Sequence, residues 1–195
     1  MRKKLGAAVV GLAVTAVSLL ATGSASGHGY TESPISRQKL CANGTVANCG
    51  NIQWEPQSVE GPKGFPEAGP ADGAICSGGN GQFAQLDDAR GGSWPTTRLA
   101  SGQSHTFTWQ FTARHATTDF RYYVTKDGWN PSQPLTRASL ELQPFLTVPY
   151  NNQQPPATLS HSGTLPSKSG RHMILAVWTI ADTSNAFYAC SDVEF

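Results

Sequence analysis

Four short runs in the C-terminal half constrain this chain most. Residues 106–111 read Thr-Phe-Thr-Trp-Gln-Phe, a strict polar–aromatic alternation that buries one face of a strand. Residues 120–125 form a second strand pattern. Residues 173–180 are a continuous apolar run rich in branched side chains, as a central strand requires. Residues 187–195 alternate again, with Phe187, Ala189, Ser191, Val193 and Phe195 on one face. A shorter strand is expected at 139–142. No long amphipathic helix and no internal repeat accompany these runs. The pattern predicts an all-β protein, an antiparallel β-sandwich of the immunoglobulin or fibronectin type III kind. Residues 51–104 hold much of the Gly and Pro and few apolar runs, so they read as a long insertion of loops and short helices.

The N-terminus reads as a targeting segment. Arg2, Lys3 and Lys4 precede an apolar stretch at 7–20, and Ala25-Ser26-Gly27 supplies the small residues a signal peptidase reads. The stretch is short for a membrane span. Residues 1–27 are therefore expected to be removed, leaving 28–195 as one secreted, extracellular domain with no membrane attachment. The chain has 14 basic and 13 acidic residues, and three of the basic ones lie in the leader. The remainder is slightly acidic, which argues against nucleic acid or an anionic membrane as partner. A monomer is expected.

All four cysteines follow the leader. In an exported chain an even number predicts two disulfides, with three possible connectivities. Cys41 and Cys49 are close in sequence across a turn-like Ala-Asn-Gly-Thr, so the expected pairs are Cys41–Cys49 and Cys76–Cys190. No CxxC pair suggests a thiolate metal site.

Cleavage after Gly27 makes His28 the first residue. An N-terminal histidine offers two nitrogens, the α-amine and ring Nδ1, which chelate a metal together. A second histidine would complete a T of three nitrogens, a donor set suited to Cu(II). His115 is the expected partner, in the polar turn Thr112-Ala113-Arg114-His115-Ala116-Thr117-Thr118, where its ring can reach the surface. His105 at a strand start, His161 in a Ser-His-Ser-Gly turn and His172 before the central strand read as structural.

The stretches HGYTESPISR at 28–37, QWEPQSVEGPKGFPEAGPADG at 53–73, TARHATTDFRYYVTK at 112–126, GWNPSQPLTRASLEL at 128–142 and ILAVWTIADTSNAFYACSDV at 174–193 span nearly all of 28–195. Through them the chain resembles the bacterial lytic polysaccharide monooxygenases of auxiliary activity family ten, formerly called chitin-binding proteins. The resemblance implies a copper-binding histidine brace at His28 and His115. Phe187 matches the aromatic residue on one axial side and Ala113 the small residue on the other. Glu60 matches a carboxylate near the oxygen chemistry, and Trp178 a buried aromatic near the copper.

The resemblance also implies one copper ion, an external electron donor, dioxygen or hydrogen peroxide as co-substrate, and oxidative cleavage of β-1,4 glycosidic bonds. The expected partner is a crystalline polysaccharide, foremost chitin with oxidation at C1; cellulose is the alternative. Trp54 can lie flat on a sugar ring. Glu55, Pro56, Asp182, Thr183 and Asn185 join Glu60 as expected substrate contacts on a flat face. Two other functions compete. A non-catalytic chitin-binding module would need the Trp54 face but not a terminal His28. A copper carrier would need the brace but not the face. A hydrolase is disfavoured, because no second carboxylate is placed to partner Glu60.

Overall fold

Aromatic side chains at every second position need a second layer to cover them, and two sheets supply it. The computed structural model describes residues 27–195, so the expected leader lies outside the described residues except for Gly27. The elements in chain order are β1 (His28–Ser33), α1 (Arg37–Ala42), β2 (Glu60–Pro62), β3 (Thr97–Arg98), β4 (Ser104–Ala113), β5 (Thr117–Val124), β6 (Leu146–Gln153), β7 (Thr158–Thr164), β8 (Arg171–Ile180) and β9 (Asn185–Glu194). One sheet has the order β1-β4-β7 and the other β2-β9-β8-β5-β6, with β3 beside β9. The β3–β9 pair is parallel and every other pair of named strands antiparallel. This is the expected antiparallel sandwich.

The alternation in β4 sets the inner layer. Phe107, Trp109 and Phe111 point inward, onto Phe120 and Tyr122 of β5, Ala176 and Trp178 of β8, and Phe187 and Ala189 of β9. Facing outward, Thr108 meets Ser160 at 3.0 Å and Gln110 accepts a hydrogen bond from Thr158 at 2.7 Å. The central strands β8 and β9 of the larger sheet are buried on both faces, which is why 173–180 reads as one apolar run. Its second face carries Tyr123, Leu175, Val177 and Tyr188, covered by Ile52, Val59, Phe65, Ile75, Phe83 and Leu86 of the insertion. Both expected disulfides are present. Cys76–Cys190 closes a separation of 114 residues and ties the insertion to β9; a bridge over so long a loop restricts the unfolded chain by roughly 4–5 kcal/mol in the chain-entropy model.

Two sequence expectations need correction. Residues 139–142 are not a strand. Arg137–Ser139 is a 3-10 turn closed by a Thr136–Ser139 capping box, and only Leu140 bridges to Thr125. The Ser139 hydroxyl serves the cap and Leu142 is exposed, so no second residue anchors a ladder there. His161 is not in a turn but in the middle of β7. Its Ser and Gly neighbours serve strand pairing instead: Ser160 and Ser162 meet Thr108 and Thr106. Gly163 lies under Leu146, where a Cβ would sit 2.6 Å from Leu146 Cδ2.

His161 Nε2 pairs with the buried Tyr122 hydroxyl, which also accepts from Trp109 Nε1 at 3.0 Å. Burial pushes His161 down to about 4. The folded state therefore holds fewer protons than the unfolded chain between pH 6.5 and 4, so this contribution is whole above 6.5 and drains away as pH falls. Unfolding free energies from denaturant titrations between pH 7 and 4.5 should fall, by up to about 3 kcal/mol at the acid end. His161→Gln should flatten that slope; an unchanged slope would contradict the assignment.

Candidate metal centre and binding face

Strand pairing brings the two expected ligands together. β1 runs antiparallel to β4 with His28 opposite Ala113. The chain leaves β4 at Ala113 and His115 follows two residues later, so its ring returns to the start of β1. Gly27, the residue before His28, packs against the His115 ring. A Cβ built on Gly27 would lie 3.2 Å from His115 Cδ2, 2.9 Å from Phe187 Cε2 and 3.2 Å from Trp178 Cη2. Cδ2 is bonded to Nε2, so this edge of the ring faces the segment preceding His28.

The other edge of His115 is held. Its Nδ1–H donates to Asp182 Oδ1 at 3.3 Å. A carboxylate there fixes the tautomer and leaves the Nε2 lone pair for a metal. The backbone is also pinned: Thr117 Oγ1 donates to the His115 carbonyl at 3.0 Å and accepts from Trp178 Nε1 at 2.7 Å. With Gly27 in place the ring is covered. His115 is 5% exposed, because the turn between β8 and β9 brings Asp182, itself 56% exposed, over it and Gly27 packs against it.

Phe187 stands opposite Trp178 on β8 and opposite Glu60 on β2. Its ring centroid lies 6.5 Å from that of His28 and 4.8 Å from that of Trp178. Glu60 Oε1 accepts from Asn185 Nδ2 at 2.7 Å. Ser58, Glu60, Gly78, Asn80 and Asn185 border an open depression of about 380 Å³. Among the described residues no three His, Cys, Asp or Glu side chains group as a metal cage. With the two histidine rings, the α-nitrogen of His28 would be the third donor, and this nitrogen set fits copper.

The second expected cluster lies alongside. The Gly29 N–H donates to the Gln57 carbonyl at 3.0 Å, which docks the segment after Trp54 against the strand carrying His28. Trp54 ends a 3-10 turn, Gly50–Gln53, and is 80% exposed. Glu55 and Pro56 are half-buried beside it. Thr183 uses its hydroxyl to accept the Asn185 N–H at 3.1 Å. Sequence reasoning gave no role to Gln57, Thr117 or Lys63. Their signals are ordinary loop and strand residues, and only the packing distinguishes them.

A family model described as "Lytic polysaccharide mono-oxygenase, cellulose-degrading" matches residues 28–193. A lytic polysaccharide monooxygenase of auxiliary activity family ten from Streptomyces lividans is 70% identical, with a TM-score of 0.84, over 86% of this chain and 100% of that one. A CBM33 protein of Bacillus amyloliquefaciens, in complex with Cu(I) after photoreduction, is 41% identical with a TM-score of 0.78, over 86% of this chain and 99% of that one. GlcNAc-binding protein A of Shewanella oneidensis is 48% identical over 100% of this chain and 41% of its own length. A family-ten lytic polysaccharide monooxygenase, C, of Mycosarcoma maydis is 52% identical over 86% of this chain and 52% of its own. The chain thus spans about half or less of these curated relatives. On the family match over residues 28–193 and these likenesses, the chain belongs to auxiliary activity family ten of the lytic polysaccharide monooxygenases.

Proposed function

We propose that this is a secreted, copper-dependent monooxygenase that binds crystalline chitin and cleaves its β-1,4 bonds oxidatively at C1. The observation that carries the reading is the β1–β4 register, which sets His28 opposite Ala113 and returns His115 to the segment before His28. Removal of residues 1–27 would free the α-amine of His28 and open the space that Gly27 fills. The family match beginning at residue 28 supports that cleavage.

His28 and His115 would hold the metal. Copper, when bound, supplies one-electron redox chemistry, through which an external donor and dioxygen or hydrogen peroxide oxidise a ring carbon of the polymer. Asp182 keeps the His115 ring in one tautomer. Phe187 would add no donor atom, and its apolar ring beside His28 would exclude water; Ala113, opposite His28, would add no bulk there. Glu60, aimed by Asn185, offers a carboxylate to a proton or a polar co-substrate. Trp54 supplies a flat apolar surface for a sugar ring, with Glu55, Asp182, Thr183 and Asn185 as polar contacts. Such a face suits a crystalline chain that cannot enter a cleft.

Mass spectrometry of soluble products from β-chitin and from cellulose, with copper and ascorbate, tests the reading. Aldonic-acid chito-oligosaccharides are expected. Oxidised products from cellulose alone, as the family model's description favours, would replace the substrate but keep the chemistry. Binding to chitin without oxidised products would leave a non-catalytic binding module. Trp54→Ala should weaken chitin binding about five- to tenfold, the size of one lost stacking contact, with copper affinity unchanged by calorimetry. Equal chitin binding by the variant would remove Trp54 from the face.

A further inference from the structure

Lys63 reaches the turn that carries Asp182 from the end of β2. It follows β2, and its backbone N–H donates to the Ser184 carbonyl at 3.0 Å, extending the β2–β9 pairing by one residue. Its side chain then folds under the turn that joins β8 to β9. The ammonium donates to the Thr183 carbonyl and lies 3.4 Å from the Ile180 carbonyl. One lysine therefore grips both ends of the turn 181–184. An ammonium has three donors and suits several carbonyls converging from different directions, as few other side chains do.

That turn carries two contacts to residues at the centre. Asp182 accepts from His115 Nδ1–H at 3.3 Å, and Asn185, the first residue after the turn, donates to Glu60 Oε1 at 2.7 Å. The turn is otherwise exposed at Asp182 and Ser184, so little packing holds its tip. Without the ammonium, the Thr183 and Ile180 carbonyls must find water, and the tip of the turn is freer to lift between its two remaining backbone anchors, Ala181 N–H to the Ala116 carbonyl at 2.8 Å and Lys63 N–H to the Ser184 carbonyl at 3.0 Å. Lifting it would withdraw the carboxylate that orients the His115 ring.

We infer that Lys63 is a positioning residue. It closes the β8–β9 turn so that Asp182 sets the tautomer and orientation of His115, and Asn185 aims Glu60. The inference rests on the reading of His115 as a metal ligand, and it assigns Asp182 a structural task in addition to substrate contact. The Lys63 ammonium is engaged by the carbonyls of the turn, and its role is positional.

The test uses the mature protein and four variants: Lys63→Met, Lys63→Arg, Asp182→Ala and the Lys63→Met/Asp182→Ala double. In copper-free protein, amide hydrogen exchange at 181–185 should quicken at least about tenfold in Lys63→Met, and the His115 ring-nitrogen NMR shifts should move toward those of Asp182→Ala. The Cu(II) dissociation constant should rise about tenfold in Lys63→Met and in Asp182→Ala, the size expected when an outer partner of a ligand is lost. The Cu(II) paramagnetic resonance spectrum should change in the same direction in both. The double variant should lose no more than either single one, because both act along one path. Lys63→Arg, which can still bond both carbonyls, should recover most of the loss.

Should Lys63→Met fail to fold, Lys63→Gln carries the same measurements. Unchanged exchange and ring shifts in the Lys63 variant would overturn the inference, as would additive losses in the double. A wild-type protein that binds no copper would overturn the ligand reading instead, and the copper-free measurements would still judge the hold of Lys63 on the turn.

Discussion

With one extra residue ahead of His28, the protein should bind copper at least about a hundredfold more weakly than the form that begins at His28. The three-nitrogen set needs a free amine. In the extended chain that nitrogen belongs to a peptide bond, whose lone pair is delocalised into the carbonyl and does not bind a metal as an amine does. The added residue also occupies space. Gly27 lies against Phe187, His115 and Trp178 so closely that even a Cβ would collide with the Phe187 ring. Loss of a direct ligand should exceed the 10–100-fold effect typical of an outer partner. Calorimetry on the two forms decides it, and equal affinities would end the brace model. In the mature form, affinity should also decline toward acid pH, because the amine and both imidazoles bind only when deprotonated.

His115→Ala should separate chemistry from binding. Copper affinity should fall by a comparable factor, and oxidised products should drop below detection with reductant and peroxide supplied. Chitin binding should survive in large part, because Trp54 is presented by a different segment, docked through Gln57 and Gly29. The buried ring also fills space and satisfies Asp182, so a lowered melting temperature is expected and must be measured beside activity. Full oxidative activity in the variant would exclude His115 as a ligand.

Sequence alone determined the layers. Period-two burial in 106–111, the apolar run at 173–180 and the alternation at 187–195 are local signals that match β4, β8 and β9, since a strand's side-chain period is set by its own backbone. The Cys41–Cys49 pair was legible because the loop between them is short. Strands β6 and β7 were not. β6 carries Pro149 and a polar Tyr-Asn-Asn-Gln end, tolerable because it is an edge strand. β7 reads as a turn until Thr106 and Thr108 stand opposite its serines.

At the candidate site, residue types and the family resemblance pointed to His28, His115, Phe187 and Glu60, which lie on β1, the β4–β5 turn, β9 and β2. Only the tertiary structure decided how those elements meet. The register of β1 on β4 and of β2 on β9 are non-local hydrogen-bond choices that no single segment encodes. The burial of His115, its Asp182 partner and the grip of Lys63 on the turn beyond arise where three separate segments converge. A lysine, an aspartate and a histidine scattered from position 63 to position 182 acquire joint meaning only once the sheet has closed.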